Sequence, residues 1–283
     1  MTVPFRDCAQ RLIRSRLMTE REVSEYLDTF PPEKRPADGD ALADALVADG
    51  RLTPFQAKAI LRGCERGLVL GEFTIVSEVG RGGMGRVFKA VHRPSGAMAA
   101  IKVLSEDLIQ SSGSGSTSSV TRTEAASASS VLGRFHQEVA AASRLCHRNI
   151  VTTYEAGEED GIHYLVMEYV DGQDLASLVR EGPVPADRVL NWILQAARGL
   201  QYAHSKSVIH RDIKPSNLLL DQEGTIKILD MGLARVVEEE LSGPGATLAE
   251  RLTLKGEMLG TVDYISPEQA VERVRASQAE AGE

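Results

Sequence analysis

The feature that most constrains the fold is the polar stretch His210-Arg211-Asp212-Ile213-Lys214-Pro215-Ser216-Asn217, followed thirteen residues later by Asp230. Two carboxylates and an amide at this spacing can supply a proton acceptor and oxygen ligands for Mg²⁺, and the lysine between them can contact a phosphate. Transfer of a phosphoryl group from a metal-bound nucleotide requires this set of groups. A loop can carry such residues by chance, so the interpretation depends on what precedes the stretch.

A glycine-rich segment precedes it. Val79-Gly80-Arg81-Gly82-Gly83-Met84-Gly85-Arg86-Val87 matches G-x-G-x-x-G-x-V, in which glycine lets backbone N–H groups approach phosphates closely. Dinucleotide-binding folds share the glycines but need a helix directly after them. Residues 87–92 are instead β-branched and aromatic and run into a turn at residues 93–96. The glycines are therefore predicted to lie in a β-hairpin.

The next predicted strand contains Ala99-Ala100-Ile101-Lys102, close to the V-A-I-K signature. Glycine hairpin, strand lysine and polar stretch occur in this order, and at these residues the chain resembles the eukaryotic-type Ser/Thr protein kinases in their bacterial form. The resemblance covers residues 72–270 and implies a bilobal α+β fold. The small lobe is expected to hold an antiparallel sheet, and the large lobe to be mainly helical and incomplete.

The resemblance implies ATP and Mg²⁺ as cofactors and protein serine or threonine hydroxyls as acceptors, because Asp-Ile-Lys-Pro is the Ser/Thr form of the loop. Asp212 is expected to act as the base, Lys214 to contact the γ-phosphate, and Asn217 with Asp230 to hold metal. Because the metal that Asn217 would hold takes part in the reaction, Asn217 is also expected to be a catalytic residue. The implied nucleotide-binding residues are Val79, Gly80, Gly82, Gly83, Gly85, Val87, Ala100, Lys102, Glu138, Met167, Glu168, Val170, Asp174 and Leu219.

Several of these residues have a specific implied role. Glu138 would pair with Lys102 from the following helix. Met167 would lie at the back of the adenine pocket and residues 168–170 would form the hinge. Asp174 would face the ribose, and Leu219 would lie under adenine.

Two further features concern regulation and the metal-binding turn. Met231 replaces the phenylalanine of D-F-G, and because methionine is apolar and flexible it is expected to fill the same slot. Arg211 is implied to contact a phosphate on the segment that follows, so autophosphorylation in trans on Thr253 or Thr247 is a hypothesis.

Residues 1–68 are predicted to form a helical module. Thr19 and Glu22 form a capping box, a second helix starts near Asp40, and Thr53 with Pro54 opens a third. Three short helices have a thin core, so the module is expected to pack on the adjacent lobe. Its role stays open between a packing appendage and a partner-binding or sensing module.

The predicted kinase domain, residues 72–270, divides into a small lobe of residues 72–170 and a partial large lobe of residues 171–270. The Ser-rich insert at residues 105–130 has almost no apolar residue and is predicted to be a disordered loop. Residues 271–283 read as a polar tail in place of the family's further helices, which suggests a truncated or frame-shifted gene or a fragment. A nucleotide-binding scaffold is therefore the alternative function. A small-molecule phosphotransferase is disfavoured by Ile213-Lys214-Pro215 and by Ser266-Pro267-Glu268.

Composition excludes some classes. The formal charge of −8 argues against a nucleic-acid partner that would bind through a basic surface. Three dispersed cysteines suggest neither disulfides nor a zinc site and are interpreted as buried thiols. The chain has no signal peptide and no run of eighteen apolar residues, so it is expected to be cytoplasmic without a membrane span, although many bacterial relatives carry one after the kinase domain.

Overall fold

The computed structural model describes residues 2–82, 85–104, 139, 142–210, 212–231 and 264. The chain divides into two compact units. The first contains Met1–Leu104 and Ala156–Tyr169, and the second contains Ser105–Glu155 and Val170–Glu283. Several predictions fall outside the described residues: those on Gly83, Glu138, Arg211, Thr247, Thr253, the insert at 105–130 and the tail at 271–283.

The N-terminal part of the first unit is helical. Its elements are α1 (Phe5–Arg14), α2 (Glu20–Asp28), a 3-10 turn (Pro32–Lys34), α3 (Gly39–Ala48) and α4 (Pro54–Leu61). Capping boxes begin α2 and α4, as the sequence predicts for Thr19, while α3 starts at the side chain of Asp38. The fully buried leucines and isoleucine of the core are Leu12, Leu42, Leu46 and Ile60.

The expectation of three helices in this module is wrong, because α1 is a fourth. Its buried residues Cys8 and Leu12 lie one helical turn apart. Three arginines in the same ten residues obscure this apolar face in the sequence.

The rest of the first unit is built on a six-stranded sheet. The strands are β1 (Val69–Leu70), β2 (Phe73–Gly82), β3 (Gly85–His92), β4 (Met98–Leu104), β5 (Thr153–Glu159) and β6 (Ile162–Glu168). Their order in the sheet is β1-β2-β3-β4-β6-β5. The predicted glycine hairpin is confirmed, since β2 and β3 pair antiparallel up to Gly82 opposite Gly85.

One face of this sheet is apolar and packs against the helices. Ile75, Phe88, Ile101 and Val166 belong to its buried cluster, and Phe55 of α4 packs on them. The helical module thus packs on the sheet within one compact unit, as expected from its thin core.

The second unit contains β7 (Gly172–Asp174), α5 (Leu175–Glu181), α6 (Ala186–Ser205), a 3-10 turn (Pro215–Asn217), β8 (Leu218–Asp221) and β9 (Ile226–Ile228). The three strands form one antiparallel sheet in the order β7-β8-β9. The apolar spacing in the sequence of α6 predicts a buried side that includes Trp192, Ile193, Ala196 and Ala197. Trp192 and Ala196 do pack against Ile226. Ile193 and Ala197 were expected on that side but are exposed, Ile193 to 59%.

Two smaller observations complete the fold. Cys8 is buried, and burial raises the pKa of its thiol to about 11, but Cys64 and Cys146 are exposed, so the expectation of three buried thiols is wrong for two. Both exposed cysteines lie outside helices and strands, where no apolar periodicity could place them.

Within the described ranges, no helix is both long enough and apolar enough to span a bilayer.

Candidate active site

The sheet of the first unit gathers four predicted nucleotide-binding residues on one face. Lys102 lies opposite Val87 on β3, and Ala100 lies opposite Met167 on β6. Directly opposed residues share a face of a sheet, and residues two apart on one strand do so as well. Val87, Ala100, Lys102 and Met167 therefore lie on the face opposite to the one covered by the helices. Lys102 is only 5% exposed.

Two glycines of the hairpin are needed for different reasons. Gly85 has φ 134°, and a Cβ there would lie 2.0 Å from the Val103 carbonyl oxygen, so the fold itself requires glycine. A Cβ on Gly80 would meet no atom of the described residues within 4 Å. The space beside Gly80 is open, which fits the close approach of a phosphate to the backbone.

Strand β6 leads to the predicted hinge, and Tyr169, which follows it, contacts the sheet face that carries Lys102. β6 ends at Glu168, which pairs with Ala99. Tyr169 follows, and the Lys89 ammonium lies 4.3 Å from its ring centroid, a cation–π contact. Val79 is half exposed at the root of the glycine hairpin, and Val170 is partly buried.

The second unit brings Asp212, Lys214 and Asn217 together. Lys214 Nζ lies 2.8 Å from Asp212 Oδ2. Asn217 Nδ2 donates to the same oxygen at 3.0 Å and to the Asp212 carbonyl at 2.7 Å. Asn217 is 8% exposed, so its amide is oriented by these two bonds. Its nitrogen faces Asp212, and its carbonyl oxygen is the atom left for another ligand.

His210 fixes this loop to the end of β9, a role that the sequence did not reveal. Its Nδ1 accepts the Asp212 N–H at 3.2 Å, so the proton lies on Nε2, which donates to the Leu229 carbonyl at 2.7 Å. Burial is the largest cause that lowers the pKa of His210, which favours this neutral form. The position of His210 two residues before Asp212 was the only available signal.

Asp230 lies beside the same junction. The Leu229 N–H donates to the main-chain carbonyl of Asn217 at 2.9 Å, so the chain just before Asp230 is held to the polar loop. Asp230 has φ 54°, a left-handed conformation that is unfavourable for a residue with a Cβ and recurs at functional sites.

Met231 fills an apolar slot, as expected for its position. Only 5% of it is exposed, and its cluster contains Leu145, Ile150, Ala203 and Ile228. The bond between Leu229 and Asn217 and the packing of Met231 thus hold Asp230 from both sides.

Asp174 and Leu219 are neighbours on β7 and β8. Asp174 is the N-cap of α5, and its two carboxylate oxygens accept the Ser177 N–H at 2.9 Å and the Ser177 hydroxyl at 2.6 Å. A ribose contact for Asp174 stays a prediction, and it would have to share these oxygens.

The donor set fits Mg²⁺ rather than a softer metal. Asn217 and Asp230 offer oxygen ligands, which Mg²⁺ prefers. Among the described residues, no group of three or more His, Cys, Asp and Glu side chains could hold a metal. Two protein oxygen ligands suit an ion that takes much of its coordination from phosphates and water.

The chain is similar to known protein kinases. The model of the protein kinase domain matches residues 73–280, which extends beyond the range expected from the motifs. Serine/threonine-protein kinase PrkC of Bacillus subtilis is 34% identical over 203 residues, covering 71% of this chain and 27% of the relative. Serine/threonine-protein kinase pkn3 of Myxococcus xanthus is 36% identical over 205 residues, covering 70% and 33%. The chain thus spans about a third or less of the length of these relatives.

A solved kinase domain, PknI of Mycobacterium tuberculosis, aligns at 29% identity and a TM-score of 0.47, covering 59% of this chain and 62% of that chain. The family model alone accounts for well over half of the sequence, including the glycine hairpin, Lys102 and the Asp212 loop. Over residues 73–280, this chain belongs to the protein kinase domain family.

Proposed function

We propose that the chain is an ATP- and Mg²⁺-dependent protein kinase that phosphorylates serine or threonine. The observation that carries the proposal is the contact of Lys214 and Asn217 with one oxygen of Asp212. A proton acceptor, a cation and a metal-binding amide are then within reach of one acceptor hydroxyl. The names of the two relatives, both serine/threonine-protein kinases, support the choice of acceptor.

The proposed reaction is an in-line transfer. The hydroxyl oxygen of the acceptor forms a bond to the γ-phosphorus of ATP, and the bond from that phosphorus to the bridging oxygen breaks, which releases ADP. The hydroxyl proton goes to the Asp212 carboxylate. Lys214 stabilises the negative charge on the transferred group. Bound Mg²⁺, held by Asn217 and Asp230, would neutralise charge on the phosphates.

The nucleotide contacts are part of the same proposal. Lys102 would bind the α- and β-phosphates and would be held by Glu138, while the backbone at Glu168 and Val170 would bond adenine. The remaining contacts would come from the glycine hairpin and from apolar or ribose-facing residues: Val79, Gly80, Gly82, Gly83, Gly85, Val87, Ala100, Met167, Asp174 and Leu219.

The same reading extends to partners and regulation. Protein substrates, and no nucleic acid, are the expected partners, in keeping with the net charge of −8. The cytoplasm, where ATP is available, is the expected compartment. Autophosphorylation in trans on Thr253 or Thr247 is tested by mass spectrometry of active protein, and the absence of phosphate on both would rule it out.

The decisive experiment compares wild type with Asp212→Asn after incubation with labelled ATP, Mg²⁺ and a protein acceptor. The substitution preserves size and leaves an oxygen that can accept a hydrogen bond from Lys214, but it removes the negative charge and the proton acceptor. Transfer well above that of the variant is the expected result. Equal transfer by the two proteins, with ATP binding intact, would contradict the proposal and favour the nucleotide-binding scaffold.

A further inference from the structure

Side chains of helix α4 and its N-cap are hydrogen-bonded to strand β2, which leads into the glycine hairpin. Inside its capping box, Gln56 Oε1 accepts the Thr53 N–H at 2.8 Å, and Thr53 Oγ1 accepts the Gln56 N–H at 3.2 Å. The same side chains also donate to β2. Thr53 Oγ1 donates to the Val76 carbonyl and Gln56 Nε2 to the Ile75 carbonyl, both at 2.7 Å. Each side chain thus caps α4 and binds the strand.

The Gln56 amide has one orientation that satisfies both partners. Its oxygen must face the Thr53 N–H and its nitrogen must face the Ile75 carbonyl. Only 4% of Gln56 is exposed, so a group left without its bond there could not recover it from water. The bond to Ile75 is therefore a strong link between the helix and the strand.

The link meets β2 where the strand is irregular. The pairing of β2 with β3 shifts register between Ile75 and Ser77 and again between Glu78 and Gly80. β1 pairs only with Phe73 and Thr74, before this stretch. Bulges twist a strand and loosen its ladder locally. The helix therefore supports β2 at a bulge that lies four residues before the first glycine.

A second path runs from α4 to the other strand of the hairpin. The Phe55 ring lies 6.0 Å from the Phe88 ring, and the Arg86 guanidinium lies 4.8 Å from the same ring. Arg86 Nε donates to Glu78 at 3.2 Å, and Arg81 Nε does so at 3.3 Å. The two arginines among the glycines are thus held on the face that carries Phe88, and α4 contacts both strands of the hairpin.

We propose that α4 is a positioning element of the glycine hairpin and that Gln56 and Thr53 are positioning residues for nucleotide binding. Neither residue touches the nucleotide; they act through the bulged stretch of β2. The expected consequence of this positioning is a higher affinity for ATP, and that part of the inference rests on the proposed function. The coupling of α4 to the hairpin can be measured without nucleotide.

The test uses Gln56→Glu, which is chemically selective. Glutamate can still accept the Thr53 N–H, since a threonine with a glutamate three residues later also forms a capping box. In its ionised form glutamate has no donor for the Ile75 carbonyl. The matched control is Glu22→Gln, the reverse exchange in the exposed capping box of Thr19. Thr53→Ser is the conservative variant, because it keeps the hydroxyl.

The first readout is hydrogen exchange of the β2 and β3 amides in the absence of nucleotide. Gln56→Glu is expected to speed exchange at residues 76–88 by about tenfold, the factor for about 1.4 kcal/mol and of the order of one buried hydrogen bond. The second is steady-state kinetics, where the KM for ATP is expected to rise while kcat changes by less than about twofold, since the Asp212 loop is untouched. Thr53→Ser and Glu22→Gln are expected to behave as wild type.

The inference is overturned if Gln56→Glu leaves hairpin exchange at the level of Glu22→Gln. If that variant does not fold, Phe55→Leu takes its place, because leucine is apolar but lacks the ring that contacts Phe88. Unchanged hairpin exchange in Phe55→Leu then overturns the inference in the same way. If the wild-type protein transfers no phosphoryl group, the proposed function is contradicted instead. The hairpin inference is tested separately, because hydrogen exchange is measured without nucleotide and reports on the hairpin alone.

Discussion

Asn217→Asp provides a direct test of how the polar loop is built. The substitution removes the Nδ2 donor, and with it the bonds to the Asp212 carbonyl and carboxylate at 2.7 and 3.0 Å. A hydrogen bond to a charged group contributes about 1.5–3 kcal/mol and one between neutral groups about 0.5–1.5 kcal/mol. The expected loss of unfolding free energy is about 3 kcal/mol, a large part of the 5–15 kcal/mol typical of a domain.

The assay is urea unfolding followed by the fluorescence of Trp192. This is the only tryptophan, and it is buried in the second unit, which also carries the loop. The midpoint is expected to fall by about 1–2 M urea. At acidic pH the difference should shrink, because the introduced carboxyl becomes protonated and regains a donor.

The control is Asn191→Asp, the same chemical change at an exposed position of α6. Substitutions of this kind usually change stability by no more than about 0.5 kcal/mol. Equal midpoints for Asn217→Asp and Asn191→Asp at neutral pH would refute the reasoning, because the two bonds to Asp212 would then contribute nothing.

Four further predictions follow from single contacts. Burial lowers the pKa of His210 below its usual 6.5. The contribution of the neutral imidazole to stability is therefore present above pH 6.5 and is lost as the pH falls. The urea midpoint should drop less between pH 7.5 and 5.5 in His210→Gln than in the wild type. Burial and a hydrogen bond to Asp49 raise the pKa of Tyr26 to about 12, so Tyr26→Phe should remove a tyrosine that titrates near pH 12 in ultraviolet absorbance and cost about 1.5–3 kcal/mol in thermal unfolding. Met231→Ala should cost about 2–5 kcal/mol in urea unfolding and Met231→Leu less than about 1.5 kcal/mol; equal effects would contradict tight packing there. Gly80→Ala should unfold within about 0.5 kcal/mol of wild type, since its Cβ meets no atom of the described residues, but its KM for ATP should rise.

The sequence was most informative where the signal is local. The β-branched residues after the glycines predicted the hairpin, and the capping box at Thr19 predicted the start of α2; both are confirmed. Helix α1 was missed because its apolar face is narrow and its arginines are many. Exposure of Ile193 was also missed, since a helical apolar stripe shows which residues share a face but not how much of that face is covered.

The sequence alone determined the chemistry available to this protein, because the types and order of residues from Gly80 through Lys102 to Asp212 and Asn217 follow from the chain itself. Only the tertiary structure decided which of these groups are held and by what. The tautomer of His210 depends on a carbonyl nineteen residues away, and the support of β2 depends on Gln56, also nineteen residues from its partner. Such bonds depend on how distant segments pack, and no local periodicity or motif spacing encodes that packing.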